Sequence, residues 1–207
     1  ETVTAKETTT LYQVEDLTRV YRTGSVETHA LRGVDLKVAA GEFTAIAGPS
    51  GSGKSTLLHL MGTLDTPSSG SVHLGGERVD RLDKRASARL RLERLGFVFQ
   101  AYNLIPVLSA LENAAFVLEL RGVARREREE RAREALAALG MDEYESRRPN
   151  QLSGGQQQRV AVARALAADP DIILADEPTA NLDSATGQQL IDLMRGLNEE
   201  RGVTFVF

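Results

Sequence analysis

A glycine-rich segment with one lysine and several hydroxyl residues carries the most specific chemical pattern in the sequence. It fits G-x-x-x-x-G-K-[ST], and the residues that we predict to bind nucleotide phosphates are Gly48, Pro49, Ser50, Gly51, Ser52, Gly53, Lys54, Ser55 and Thr56. Glycines let the backbone curl until N–H groups point inward, and a following helix adds its positive end to the same pocket. Lys54 can reach the β- and γ-phosphates, while the Ser55 hydroxyl can ligate the Mg²⁺ that bridges them.

Two adjacent carboxylates directly follow a short apolar segment. Ile172–Ala175 has the composition of a buried strand, and Asp176 and Glu177 come next. Parallel sheets present ligand sites just beyond the carboxyl ends of their strands, so we expect this pair to lie beside the phosphate loop. Asp176 would hold magnesium through its water shell, and Glu177 would be the catalytic residue that orients and deprotonates an attacking water. The alternative is a pair that caps the following helix.

A second glycine motif stands immediately before another predicted helix. Its residues are Leu152, Ser153, Gly154, Gly155 and Gln156. A serine and glycine N–H groups at a helix start form an anion site. One nucleotide needs only one such site, so the second requires its own explanation.

Strands and helices that position these motifs can be read from periodicity. The strand Phe43–Ala47 precedes the phosphate loop and the helix Ser55–Met61 follows it. Further along, the pattern predicts the strands Phe97–Phe99, Ile172–Ala175 and Val203–Phe207 and the helices Gln156–Ala168 and Ala185–Leu197. Strands that alternate with helices favour an α/β fold with a mainly parallel sheet.

The remaining segments predict an antiparallel layer and a helical region. Leu11–Tyr21 and Ala30–Val38 alternate as antiparallel strands do, Gly70–Val79 reads as a hairpin, and Ser109–Leu139 reads as helical. We expect one domain over residues 1–207, with a core at 1–96 and 165–207 and a helical subdomain at about 100–164.

Composition limits the kinds of binding site and partner that the chain can have. The chain has 207 residues, a net charge of −4 and no cysteine. Disulfides and thiolate metal sites are therefore excluded, and the charge argues against a nucleic-acid partner. No apolar stretch approaches the roughly 20 residues needed to cross a bilayer, so we expect any membrane contact to come through a partner.

The ordered set of motifs resembles the ABC ATPase family. The resemblance rests on the phosphate loop, Gln100 after Phe97–Phe99, the signature Leu152–Gln156, Asp176-Glu177 and Asn181–Asp183, and it spans Leu11 to Phe207. It implies a P-loop NTPase fold whose helical subdomain carries the signature. It also implies a head-to-tail dimer with a second copy or a homologous subunit, in which each signature closes on the γ-phosphate held by the other chain.

The same resemblance assigns roles to three more residues. It implies that Gln100 binds magnesium and senses the membrane partner, that Asp183 communicates across the dimer, and that Tyr21 stacks on adenine. The alternative for Tyr21 is an ordinary core residue. The sequence is similar to that of the lipoprotein-release and macrolide-exporter subgroup (LolD-like, MacB-like) in three segments, Tyr21–Leu31, His59–Gly62 and Gln100–Pro106.

The expected function is that of an ATP-binding and ATP-hydrolysing subunit that drives integral-membrane permease subunits from the cytoplasmic face of the cell membrane. Two alternatives are a DNA-repair or translation-type ABC protein and a regulatory module that senses ATP. The family places a switch histidine after its last core strand, whereas this sequence stops at Phe207 and its histidines at 29, 59 and 73 lie too early. We expect the natural protein to continue.

Overall fold

The computed structural model describes residues 10–207, so the predicted domain's residues 1–9 lie outside the described residues. The strands are β1 (Thr10–Thr23), β2 (Val26–Ala39), β3 (Phe43–Thr44), β4 (Ser69–Leu74), β5 (Glu77–Arg78), β6 (Leu95–Phe99), β7 (Ile172–Asp176) and β8 (Phe205–Val206). The helices are α1 (Lys54–Met61), α2 (Lys84–Arg94), α3 (Ala110–Leu120), α4 (Arg125–Ala137), α5 (Gly154–Ala167) and α6 (Ser184–Arg201). Short 3₁₀ turns cover Asp142–Tyr144 and Pro149–Gln151.

A parallel sheet in the order β3-β8-β7-β6 lies at the centre of the fold and confirms the predicted α/β class. Its middle strand β7 is apolar at four successive positions, as expected for a strand that is covered on both faces. The predicted strand Phe43–Ala47 is shorter than expected, although the Ile46 N–H still donates to Phe207 O at 2.6 Å.

Side chains of β7 alternate between two apolar cores, because successive residues of a strand face opposite sides. Ile173 and Ala175 belong to a helical core that includes residues of α3, α4, α5 and α6. Ile172 and Leu174 belong to a β-layer core shared with α1, α2 and the antiparallel strands. The sheet therefore separates the two cores.

The antiparallel layer has the order β2-β1-β4-β5, which confirms the predicted β layer. Its first two strands are long and join at a tight turn where Gly24 has φ of 61°. The Tyr12 hydroxyl donates to the Met61 carbonyl at the end of α1, and burial raises the pKa of that hydroxyl. This layer thereby holds the helix that follows the phosphate loop.

Helices α3, α4 and α5 pack against one another and share the helical core with β6, β7 and β8. The charged α4 buries a narrow apolar side of Ala132, Ala135 and Leu136 and carries ion pairs such as Arg125–Glu129 at 2.7 Å. The division into a core and a helical subdomain at about residues 100–164 stays a prediction. Within residues 10–207, no helix has both the length and the apolar character of a membrane span.

Candidate functional site

The carboxyl edge of the parallel sheet gathers three of the predicted motifs. The phosphate loop follows β3, Gln100 follows β6, and Asp176 ends β7 directly before Glu177. In open α/β sheets this edge is where ligands bind. The fold therefore brings together residues that are far apart in sequence, such as Ser55 and Asp176, which are 121 residues apart.

Glycines at two positions of the phosphate loop have a conformation that other residues adopt with strain. Gly51 and Gly53 have φ of 80° and 97°. A Cβ atom on Gly53 would lie 2.5 Å from the carbonyl oxygen of Ala30, so only glycine fits at the start of α1. Gly53 also has no side chain that could cap the helix, so the first N–H groups of α1 are available to an anion.

Side chains from the loop and from the strand end meet directly. The Ser55 hydroxyl donates to Asp176 Oδ1 at 2.8 Å. Lys54 Nζ donates to the carbonyls of Gly48 and Pro49 at 2.9 and 3.2 Å and lies 3.8 Å from Glu177 Oε1. The lysine charge therefore lies between the loop carbonyls and the predicted catalytic carboxylate.

Glu177 has a left-handed backbone conformation, with φ of 47°. For a residue with a Cβ this conformation costs about 1–3 kcal/mol, and such strain clusters at functional sites. The Glu177 side chain is 45% exposed and borders a cavity of about 290 Å³ that also touches Lys54, Leu58 and Phe207. The turn thus aims a carboxylate at an accessible space beside the loop.

His59 is a neighbour of this site that sequence reasoning considered only as a replacement for the switch histidine. Its Nε2 lies 3.9 Å from Asp176 Oδ2. It stands four residues after Ser55 on α1, so both side chains are on one face of the helix. The spacing shows that the two side chains are neighbours, but their common neighbour Asp176 depends on the packing of α1 against β7.

Gln100 is exposed and directly follows β6. The preceding Phe99 is the register partner of Asp176 in the parallel sheet. The Gln100 carbonyl accepts a hydrogen bond from Asn181 Nδ2 at 2.9 Å, which links the segment after β6 to the segment after β7. Gln100 thus follows the residue that pairs with Asp176, and its assignment to magnesium stays a prediction.

The signature begins α5 and has different neighbours from those of the phosphate loop. The Ser153 hydroxyl accepts from the Gln156 N–H at 3.3 Å, and Gln156 Oε1 accepts from the Ser153 N–H at 2.9 Å. Gly154 lies against Tyr102 and Leu182, and Gly155 lies against Thr186. The two glycine motifs thus form two helix starts, and the Gln156 side chain is occupied by its own cap.

Tyr21 is partly exposed, at 37%, so the alternative of an ordinary core residue is wrong. Its hydroxyl donates to Asp65 Oδ2 at 2.9 Å, and the Arg19 guanidinium lies 4.5 Å from the ring centroid. Arg19 also donates to Asp65 Oδ1 at 2.8 Å. The ring is thereby held in one orientation, as a stacking platform requires.

Asp183 caps the N-terminus of α6. Its Oδ1 accepts from the N–H groups of Ala185 and Thr186 at 3.1 and 3.0 Å. Hydrogen bonds from Thr186, and then from Ala185, lower the pKa of Asp183 below its usual value. Because the folded pKa is lowered, the stabilisation is present above the unfolded pKa and is lost as pH falls through the folded pKa.

We therefore expect Asp183→Ala to lower the melting midpoint by a few degrees at pH 7, and the difference from wild type to shrink below about pH 4. Asp183→Asn is the matched control, since it keeps the capping oxygen without the titratable charge. Thermal melts of wild type and of both variants at pH 7, 5, 4 and 3 measure the melting midpoints. A deficit in the alanine variant that stays constant down to pH 3 would contradict this role of the carboxylate.

Comparison with known proteins agrees with this site. The sequence profile of the ABC transporter family matches residues 31–180, which include the phosphate loop, the signature and the acid pair. The chain belongs to the ABC transporter family. Within that family it is an ATPase cassette, as the order of its motifs predicts.

Relatives of this ABC cassette include transport proteins of two kinds. The lipoprotein-releasing system ATP-binding protein LolD of Geobacter metallireducens is 48% identical over 196 residues, which are 95% of this chain and 87% of that protein. The macrolide export ATP-binding/permease protein MacB of Syntrophobacter fumaroxidans is 46% identical over 198 residues, 95% of this chain but 28% of MacB. The predicted family resemblance to LolD-like and MacB-like proteins is confirmed.

A solved structure of the same family has the same fold. The dimeric post-hydrolysis state of the ATP-binding cassette MJ0796, from Methanocaldococcus jannaschii and bound to ADP and Pi, superimposes with a TM-score of 0.86 at 45% identity. The alignment covers 95% of this chain and 86% of that one.

Proposed function

We propose that this ABC cassette binds ATP and Mg²⁺ at the phosphate loop, closes as a dimer and hydrolyses ATP through Glu177. The contact between Ser55 and Asp176 carries this proposal, because it joins the phosphate loop to the end of β7 with a hydrogen bond of 2.8 Å. Glu177 follows at once in sequence and lies 3.8 Å from Lys54. A phosphate-binding loop, a cation and a base are therefore adjacent.

The oxygen atoms of Ser55 and Asp176 beside the phosphate loop are suitable ligands for magnesium. Ser55 Oγ and Asp176 Oδ1 are oxygen atoms beside the phosphate loop, and hard dications take oxygen ligands. Gln100 is exposed and would add its amide oxygen. When bound, Mg²⁺ would neutralise part of the negative charge of the phosphates. Ser55, Asp176 and Gln100 are thus the proposed ligands.

The chain's own groups account for the rest of the chemistry. Lys54 would exchange its contacts with the carbonyls of Gly48 and Pro49 for phosphate oxygens, placing a positive charge where negative charge develops. Glu177 would accept a proton from the attacking water at a carboxylate oxygen. Thr56 and the loop N–H groups would hold the phosphates, and Tyr21 would stack on the base.

A dimer explains the second glycine motif. The N–H groups of Gly154 and Gly155 open α5, and their side of the helix contacts Tyr102, Leu182 and Thr186 instead of the phosphate loop. The MJ0796 cassette is dimeric with ADP and Pi bound, and we propose that this chain likewise pairs with a second copy or a homologous subunit so that Leu152–Gln156 closes on the partner's nucleotide. Asp183, which caps α6, is proposed to communicate across this interface.

The relatives' names support a transport role. LolD belongs to a lipoprotein-releasing system and MacB is an ATP-binding/permease protein. We infer that residues 1–207 form one ATPase domain that works on an integral-membrane permease of one of these types, at the cytoplasmic face of the membrane. Recovery of a permease with the tagged cassette from detergent-solubilised membranes of its host tests this part.

The dimer is tested by placing a negative charge in the signature. Ser153→Asp keeps the oxygen that caps α5 but sets a carboxylate where the partner's γ-phosphate must lie. In a Glu177→Gln background with ATP and Mg²⁺, we expect the dimer dissociation constant to rise at least about 100-fold, since like charges in contact cost several kcal/mol. Light scattering after size exclusion measures the dimer, and titration of the monomer measures ATP affinity.

Ser153→Asn is the matched control, because it has the size and capping oxygen of aspartate without its charge. It should form the dimer. The phosphate loop of each monomer is intact in both variants, so both should bind ATP as the parent does. A solitary chain at saturating ATP and Mg²⁺, or a loss of ATP affinity in the Ser153→Asp monomer, would refute a signature that acts on the partner's nucleotide.

A further inference from the structure

A buried glutamine of the signature helix contacts the strand that leads to Gln100. Gln158 is 0% exposed, and its Nε2 donates to the carbonyl of Phe99 at 3.3 Å. A carbonyl can only accept, so the amide nitrogen must face Phe99 and the amide oxygen must point away. That oxygen is buried and has no hydrogen-bond partner among residues 10–207. A buried unpaired acceptor is destabilising, so packing alone does not account for this residue.

A second side chain of α5 holds the segment on the far side of Gln100. Arg164 donates to the Asn103 carbonyl at 2.6 Å and to the Tyr102 carbonyl at 3.1 Å. Burial lowers the pKa of its guanidinium, which nevertheless stays charged at neutral pH. Asn103 itself has φ of 49°, so the chain turns sharply at the residue whose carbonyl accepts from the guanidinium.

The segment between these anchors is also fastened at the start of α5. A Cβ atom on Gly154 would lie 2.7 Å from the Tyr102 hydroxyl, so the tyrosine tip rests directly on the first residue of the helix. On the opposite side, Asn181 holds the Gln100 carbonyl. Residues 99–103 are therefore tied to the signature helix at both flanks of Gln100, and to the segment after Glu177 at Gln100 itself.

We propose that Gln158 and Arg164 are positioning residues, which fix the signature helix relative to Gln100 and the strand-end carboxylates by holding backbone carbonyls on both sides of Gln100. This inference rests on the proposed function of Gln100 and Glu177. Phe99 is the register partner of Asp176, so a shift of this segment changes the distance between Gln100 and the acid pair. The phosphate loop is outside these contacts, so ATP binding by the monomer without Mg²⁺ does not depend on them, and ATP affinity is measured in that condition.

Gln158→Met separates a positioning role from a purely structural one. Methionine has a similar length, and it removes the unpaired oxygen of Gln158 but leaves the Phe99 carbonyl without this donor. These two effects oppose each other, so the melting midpoint should change little. Turnover should nevertheless fall about tenfold, because small displacements from a reactive geometry have large kinetic effects. The ATP affinity of the monomer should stay within about twofold of wild type.

Arg164→Lys tests the other anchor. Lysine keeps the positive charge, but a single ammonium group cannot hold two successive carbonyls as the planar guanidinium does. We expect a similar fall in turnover with unchanged ATP affinity. The double variant should lose less than the product of the two single losses, because both side chains fix one segment.

Arg159→Lys is the matched control on the same helix. Arg159 also donates to a backbone carbonyl, that of Leu139 at 3.3 Å, and to Gln189, away from the Gln100 segment. Its turnover should stay within about twofold of wild type, as is usual for surface substitutions away from special features. An equal fall in Arg159→Lys would overturn the proposal, as would turnover losses that merely follow the folded fraction.

The outcome also distinguishes this inference from the proposed function. If Glu177→Gln turns over ATP like wild type, the catalytic assignment fails and the positioning role fails with it. If Glu177→Gln is inactive while Gln158→Met and Arg164→Lys keep wild-type turnover, only the positioning role is refuted. Lower turnover in both α5 variants, with intact ATP affinity and melting midpoint, supports it.

Discussion

ATP turnover is expected to fall about 10²–10⁴-fold in a Glu177→Gln variant, the range for loss of a general base. Glutamine has the same size and keeps an oxygen toward the water, but it cannot take its proton at neutral pH. Lys54 and the loop N–H groups are unchanged, so ATP binding should persist. Steady-state phosphate release measures turnover, and nucleotide titration measures binding.

The same variant should accumulate as a dimer with ATP, because the closed state forms and cannot proceed. Glu199→Gln is the matched control: it removes the same charge from an exposed position on α6 and should turn over ATP like wild type. Equal turnover in Glu177→Gln and Glu199→Gln would exclude Glu177 as the base and would require another group in the cavity to activate water.

Replacing Lys54 by alanine should impair binding as well as chemistry. The Lys54 ammonium already lies among the carbonyls of Gly48 and Pro49 and near Glu177, so it is placed to follow a phosphate that enters the loop. A hydrogen bond to a charged group contributes about 1.5–3 kcal/mol, which corresponds to roughly 10- to 100-fold in ATP affinity. Loss of a preorganised charge should lower turnover about 10²–10³-fold.

The two site variants should therefore differ in assembly. Glu177→Gln should accumulate as a dimer with ATP, whereas Lys54→Ala should stay monomeric at ATP concentrations that saturate wild type. Lys37→Ala, at an exposed position of β2, removes the same charge and should resemble wild type in affinity, turnover and assembly. ATP affinity in Lys54→Ala that matches Lys37→Ala would contradict a phosphate contact by this lysine.

Local patterns were sufficient to predict which segments form the site and where they meet. The apolar run Ile172–Ala175 predicted the buried strand β7, and the carboxyl-end rule then predicted that Asp176 would lie near Ser55. Both are found, because strand periodicity and parallel topology depend on short-range sequence and general chirality.

Details that depend on tertiary contacts were not predictable. The left-handed backbone of Glu177 and the return of Lys54 onto its own loop depend on the surrounding fold. The contact of His59 with Asp176 needed the helix α1 to be placed against β7. The helix cap formed by the Gln156 side chain differs from these details, because it depends only on the local S-x-x-Q pattern.

The alternation of β7 between two cores has a mechanical consequence. The helix bearing Lys54 and Ser55 shares one core with Ile172 and Leu174, while the signature helix belongs to the core on the opposite face, which includes Ile173 and Ala175. This strand thus lies between the part of the cassette that is proposed to bind the nucleotide and the part that is proposed to meet a partner. Because β7 ends at Asp176, any displacement of this strand from either face would also move the proposed magnesium ligand.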